Sequence, residues 1–167
     1  MTISHAEHLY DLEQIKQLKA RYCRFVDTKQ WSRLTNLFAP DTRFDGFGSA
    51  PTGATVADFI AGISQRLAHV VSIHHCHTPE ITLTSETTAR GIWPMVDYLQ
   101  FPPDQPPREA PDSIGFVGWG YYEEEYRKVD DGWRFTFLRL ARQRIDPLPK
   151  GYPPVRQGFL PPTPDWL

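Results

Sequence analysis

Cysteine is nearly absent from this sequence. Two residues, Cys23 and Cys76, among 167 are too few for a disulfide framework, and each reads as a small, partly buried apolar side chain. A dominant charge is missing as well. The 18 Lys and Arg stand against 20 Asp and Glu, and only "RLARQR" (Arg139 to Arg144) gathers basic residues. That balance argues against nucleic acid or an anionic membrane as the main partner. No apolar run reaches the ~18 residues of a membrane span. "MTISHAEHLY" puts polar residues where a signal peptide has its apolar core, so a cytoplasmic location is expected.

What is present is an ordinary globular composition, 40% hydrophobic, in a length suited to one domain with a real core. The 16 prolines fall largely in two groups, "FPPDQPPREAPD" (Phe101 to Asp112) and "PLPKGYPPVRQGFLPPTPDWL" (Pro147 to Leu167). They predict a loop and an extended C-terminal tail, and hence a folded domain over 1–146 with a tail over 147–167. The tail carries Tyr152, Phe159, Leu160 and Trp166, so it is expected to be ordered and to cover apolar surface.

Leu12, Ile15, Leu18, Tyr22 and Phe25 recur at helical spacing and predict a first helix ending near Asp27. "WSRLTNLF" predicts a short second helix with Trp31, Leu34 and Phe38 on one side. "TVADFIAGISQRLA" predicts a third, with Thr55 or Ala54 at its start and Asp58 in its first turn. Everything after His69 reads as β-structure: Val70 to His77, the neighbourhood of Ile81, Ala89 to Phe101, Ile114 to Val129, and Trp133 to Asp146. The last two are joined by the hairpin signal "DDG". Helices followed by a long-stranded antiparallel meander define an α+β fold, a cone-shaped barrel in which three N-terminal helices pack on the concave face of one curved sheet.

Polar residues break the strand patterns. Trp93, Met95, Asp97, Leu99 and Phe101 share one face, which sets a carboxylate in an apolar stripe where it needs a donor. In "SIHHCH", His74 and Cys76 point one way while His75 and His77 point the other, and alternation does not say which pair faces inward. Neighbours on opposite faces cannot converge on one ion, so no metal is expected. Tyr22 lies on the apolar stripe of the first helix and Asp27 just past it. The two share a pocket only if the helix ends or bends before Asp27. Arg142 shares a face with Leu138 and Leu140, which allows an inward guanidinium.

"IKQLKARYCRFVDTKQWSRLTNLFAPD", "HHCHTPEITLTSETTARGIW" and "YYEEEYRKVDDGWRFTFLRLARQR" together resemble the SnoaL-like branch of the nuclear transport factor 2-like superfamily. That branch includes scytalone dehydratase and the bile acid 7α-dehydratases, and the likeness runs from Asp11 to Asp146. It implies that Tyr22, Asp27, His74, Asp97 and Arg142 are catalytic residues, His74 falling in the pattern "HxxHTPEI". One departure is that Gly46, in "RFDGFGS", stands at or near a further pocket tyrosine of the bile acid enzymes. The resemblance implies a lyase or isomerase that uses no cofactor and acts on a small hydrophobic ring compound bearing a carbonyl. The competing readings are a non-catalytic protein binding a hydrophobic ligand, and an accessory subunit like the β-subunit of aromatic-ring dioxygenases. Aromatic residues on both faces of "GFVGWGYYEEEY", with Trp119, Tyr121 or Tyr122 outward, predict a homodimer or homotrimer.

Overall fold

The computed structural model describes residues 5–130, 132–156, 158–164 and 166. In chain order the elements are α1 (His5–Asp27), α2 (Trp31–Thr35), β1 (Phe38–Asp45), α3 (Val56–Leu67), β2 (Val71–Cys76), β3 (Glu80–Leu83), β4 (Thr88–Gln100), β5 (Ser113–Val129) and β6 (Gly132–Pro149). The strands form one sheet in the order β1-β6-β5-β4-β2, with β3 paired to β4 beside β2. All pairings are antiparallel except β1 with β6. The sheet curls without closing, and the helices cover its concave side, as the helices-then-strands pattern predicts. No described helix is long and apolar enough to cross a membrane.

Local rules account for the element ends. Thr55 caps α3 in a reciprocal box with Asp58, whose backbone N–H reaches the Thr55 hydroxyl while its carboxylate takes the Thr55 N–H; two donors otherwise orphaned at the helix start are satisfied. At the other end of α1, Lys29 takes a left-handed φ of 59°. The Gln30 N–H then reaches back to the Phe25 carbonyl at 2.8 Å. This six-to-one closure stops the helix immediately after Asp27. Phe38, expected on α2, instead begins β1, because α2 ends three residues earlier.

Between helices and sheet lies an aromatic core in which Phe44 stacks on Phe59 at 4.0 Å and Tyr22 meets both Phe38 and Phe135 edge-on. Burial alternates with period two along the long strands. On β4, residues 89, 91, 93, 95, 97 and 99 are buried, and on β5 residues 116, 118, 120, 122, 124 and 126. Trp119 and Tyr121 therefore face outward, whereas Tyr122 is 1% exposed and points into the cone, opposite to one of the orientations expected. Strand β6 runs to Pro149, pairing Leu148 with Gly115, so the sheet extends three residues past the boundary at 146. The tail then lies along the surface. Tyr152 packs by Tyr98, the Pro153 carbonyl accepts from Gln100, and the Pro164 carbonyl accepts from Arg33 at 2.8 Å. Phe159, Leu160 and Trp166 are largely exposed, contrary to the expectation that the tail aromatics cover apolar surface.

Candidate active site

The C-terminal end of α1 meets β2 through alternate residues. Lys29 Nζ donates to Ser72 Oγ at 2.7 Å, Asp27 engages His74, and Cys23 Sγ lies 3.6 Å from Cys76 Sγ. Residues 72, 74 and 76 share one strand face by the period of two, which selects His74 and Cys76 as the inward pair. His75 and His77 are exposed on the other side.

Asp27 uses both oxygens on one residue. Its Oδ2 accepts the His74 backbone N–H at 2.8 Å and its Oδ1 lies 2.6 Å from His74 Nδ1. An ionised carboxylate only accepts, so Nδ1 carries a proton; whenever the ring is neutral, Nε2 holds the lone pair. The helix stop after residue 27 makes this possible.

His74 is paired in register with Asp97 on β4, and the two side chains point to the same face. Nε2 of His74 stands 3.9 Å from Asp97 Oδ2. Asp97 is 1% exposed and takes a two-pronged contact from Arg142, with Nη1 to Oδ1 at 2.8 Å and Nη2 to Oδ2 at 2.6 Å. The donor that a buried carboxylate requires is thus a guanidinium from β6, in the fork geometry that suits it best. Burial works against the charge on Arg142, but the Asp97 hydrogen bonds and charge outweigh it and hold its pKa above the ordinary range.

Gly118 makes room for the pair. It sits opposite Asp97 in register, and a Cβ there would lie 2.1 Å from Arg142 Nη1 and 2.5 Å from Asp97 Oδ1. An isolated glycine inside a strand often marks close approach of other groups, a signal that was available in "GFVGWGYY". At Gly46 the φ is +73° and a Cβ would meet the Leu140 carbonyl oxygen at 2.2 Å. The chain could not place a tyrosine at that position without moving β6.

These groups line one pocket of about 370 Å³. Tyr22, His74, Asp97, Tyr122 and Arg142 are among its polar lining, together with Ser49 and the Arg66–Glu109 ion pair, and Leu67, Leu99, Phe116 and Leu140 are on its apolar wall. Four of the five expected residues line it, and the fifth, Asp27, stands behind His74. Tyr122 is not among the expected residues, although a period of two from Phe116 along β5 leads to it. Burial raises the pKa of both Tyr22 and Tyr122 well above the ordinary tyrosine value, so both keep their hydroxyl protons. The site therefore offers one imidazole lone pair, phenolic donors and a neutralised Arg–Asp pair on an apolar wall.

The site thus sits in a half-open α+β cone, with a polar floor beneath an apolar wall. Comparison with known proteins makes this specific: residues 7–139 match the family model of the SnoaL-like domain, and the chain belongs to that family. A protein of Gibberella zeae named as probable cyclase FGR4 is 25% identical over 138 residues, 77% of this chain and 88% of that protein. Among solved structures, a scytalone dehydratase-like protein from Novosphingobium aromaticivorans superposes with a TM-score of 0.72 at 19% identity, covering 90% of this chain and all of that one. A type 3 hexachlorocyclohexane dehydrochlorinase from Novosphingobium barchaimii gives 0.69 at 20% identity, over 95% of this chain and all of that one. At such identities the structural likeness establishes the fold.

Proposed function

We propose that this protein is a lyase of the dehydratase type, or an isomerase, acting without a cofactor on a small hydrophobic ring compound that bears a carbonyl. One observation carries the reading: Asp27 accepts the His74 backbone N–H and stands 2.6 Å from Nδ1, which turns Nε2 toward the floor of the half-open pocket. A base held in a single tautomer and aimed at one point is what proton abstraction beside a carbonyl requires, and a binding protein has no need of it. His74 takes the acidic C–H proton, and Asp27 stabilises the resulting imidazolium. Tyr22 and Tyr122 donate to the oxygen on which enolate charge develops. The imidazolium then returns its proton to the leaving hydroxyl, giving water and an unsaturated carbonyl, or to another carbon, giving an isomer. Asp97 and Arg142 hold each other, so neither is the base. Arg142 keeps further N–H groups for an acidic substrate substituent. The named activities of the relatives, a dehydrochlorination and a cyclisation, fit a pocket built for proton removal.

The pocket volume is near the lower end for ligand sites, which favours a compact ring. The test is a panel of cyclic β-hydroxy ketones followed by enone absorbance and by mass for loss of water. His74→Ala and Asp27→Asn should each lower turnover by about 10²-fold or more. Tight binding of a ring ketone without turnover, and with the same affinity in His74→Ala, would mean a binding protein instead.

A further inference from the structure

The third rung between α1 and β2 belongs to no part of the proposed chemistry. Cys23 and Cys76 lie 53 residues apart in sequence, yet their sulfurs are 3.6 Å apart and both are free thiols. Cys23 is buried. Cys76 is half-buried on the wall of a second depression of about 510 Å³, which Lys16, Lys19, His75 and His77 also line. No group of three metal-binding side chains occurs among the described residues, so two sulfurs face each other without further ligands. We infer that Cys23 and Cys76 form a reversible, oxidant-sensitive disulfide that locks the end of α1 to β2.

The environment separates the roles of the two thiols. The bond between the two sulfurs and the nearby Lys19 charge, opposed by burial, lower the Cys76 pKa, while that bond and burial push the Cys23 thiol well up. The thiolate is the reactive form, so Cys76, which is also the more accessible, reacts first. With a hydroperoxide as oxidant, Cys76 sulfur bonds to a peroxide oxygen as the O–O bond breaks, giving a sulfenic acid and, for hydrogen peroxide, water. Cys23 sulfur then attacks Cys76 sulfur. The S–S bond forms, the S–O bond breaks, and the hydroxyl leaves as water with the Cys23 proton. Overall, two thiols lose two electrons and two protons and one peroxide is reduced. An external dithiol reverses the change. The sulfurs need close only from 3.6 Å to about 2.05 Å, a movement within reach of side-chain rotation and small shifts of α1. Cys23 is one turn before Asp27, and Cys76 two residues after His74, so the bond would set the helix-to-strand spacing beside that pair.

The test uses the full chain and no activity assay, so it stands or falls independently of the proposed function. Reduced protein is treated with a small excess of hydrogen peroxide, and its thiols are then counted under denaturing conditions alongside intact mass. The expected product is a single chain lacking both thiols and lighter by two hydrogens, with an unfolding midpoint raised by about 5 °C or more. Dithiothreitol should restore both values. In Cys23→Ser, oxidation should stop at a dimedone-reactive sulfenic acid on Cys76 with no rise in midpoint. Two persisting thiols after treatment, cross-linking mainly between molecules, or the same rise in Cys76→Ser would each overturn the inference.

Discussion

Substituting Gly118 tests the arrangement that holds the pocket floor together. The Cβ of an alanine at 118 would fall 2.1 Å from Arg142 Nη1 and 2.5 Å from Asp97 Oδ1, so these atoms must retreat by about 1 Å to reach normal contact. Asp97 has little room to yield, because it is 1% exposed and flanked on its strand by the buried Met95 and Leu99. Arg142 therefore gives way, and at least the Nη1 to Oδ1 bond is lost. A hydrogen bond to a charged group contributes about 1.5–3 kcal/mol, and a fully broken buried pair costs about 3–5 kcal/mol. Alanine returns about 0.4–1 kcal/mol by narrowing the unfolded ensemble. The expected net loss for Gly118→Ala is about 2–3 kcal/mol, read from urea unfolding as a lower midpoint with an unchanged slope. In an Asp97→Asn background the same substitution should cost clearly less, because no buried carboxylate is then stranded. A Gly118→Ala protein within about 0.5 kcal/mol of the parent, inside the ordinary range for neutral surface changes, would refute the crowding argument.

Deep in the cone, Lys19 pairs with Glu124 beneath the Tyr22 and Tyr122 rings. Lys19→Met should cost about 3–5 kcal/mol by stranding Glu124, and adding Glu124→Gln should recover much of that loss in the same unfolding assay. A single mutant as stable as the parent would show that the pair is dispensable. Lys29 has its pKa lowered to about 8 by burial, against the pull of Asp27. The unfolded lysine stays charged to about 10.4, so folding expels a proton between these values and stability rises with pH across that window. Denaturation at pH 8 and 10.5 should show this rise to be about 1 kcal/mol smaller in Lys29→Met, a figure reduced for the partial exposure of the amine; equal slopes would contradict it. On the outer sheet face, Ile73, Trp119 and Tyr121 are each more than a third exposed, an apolar patch of the kind that marks interfaces. Light scattering at micromolar concentration is expected to give two or three times the 19.2 kDa chain mass, and a monomer would dismiss the interface.

Repeating local patterns were legible in the sequence. The helical spacing of Leu12 to Phe25 predicts α1, Thr55 or Ala54 followed by Asp58 in the first turn predicts the start of α3, and the period of two on β4 sets Asp97 in the apolar stripe. Each follows from the dihedral preferences of a short segment and the side chains it carries. Resemblance and spacing together point to the five expected site residues, four of which line one pocket while the fifth stands behind His74. Partnership is another matter. Alternation leaves it open whether Asp27 or Asp97 orients His74. The choice of Asp27 depends on the end of α1 docking against β2, and the engagement of Asp97 by Arg142 depends on the register of three strands across Gly118. The pairing of Cys23 with Cys76, the inward turn of Tyr122 and the exposure of the tail aromatics have the same origin. A side chain's facing is set by its own backbone, but its partner is set by where distant segments dock, and the packed tertiary structure alone decides that.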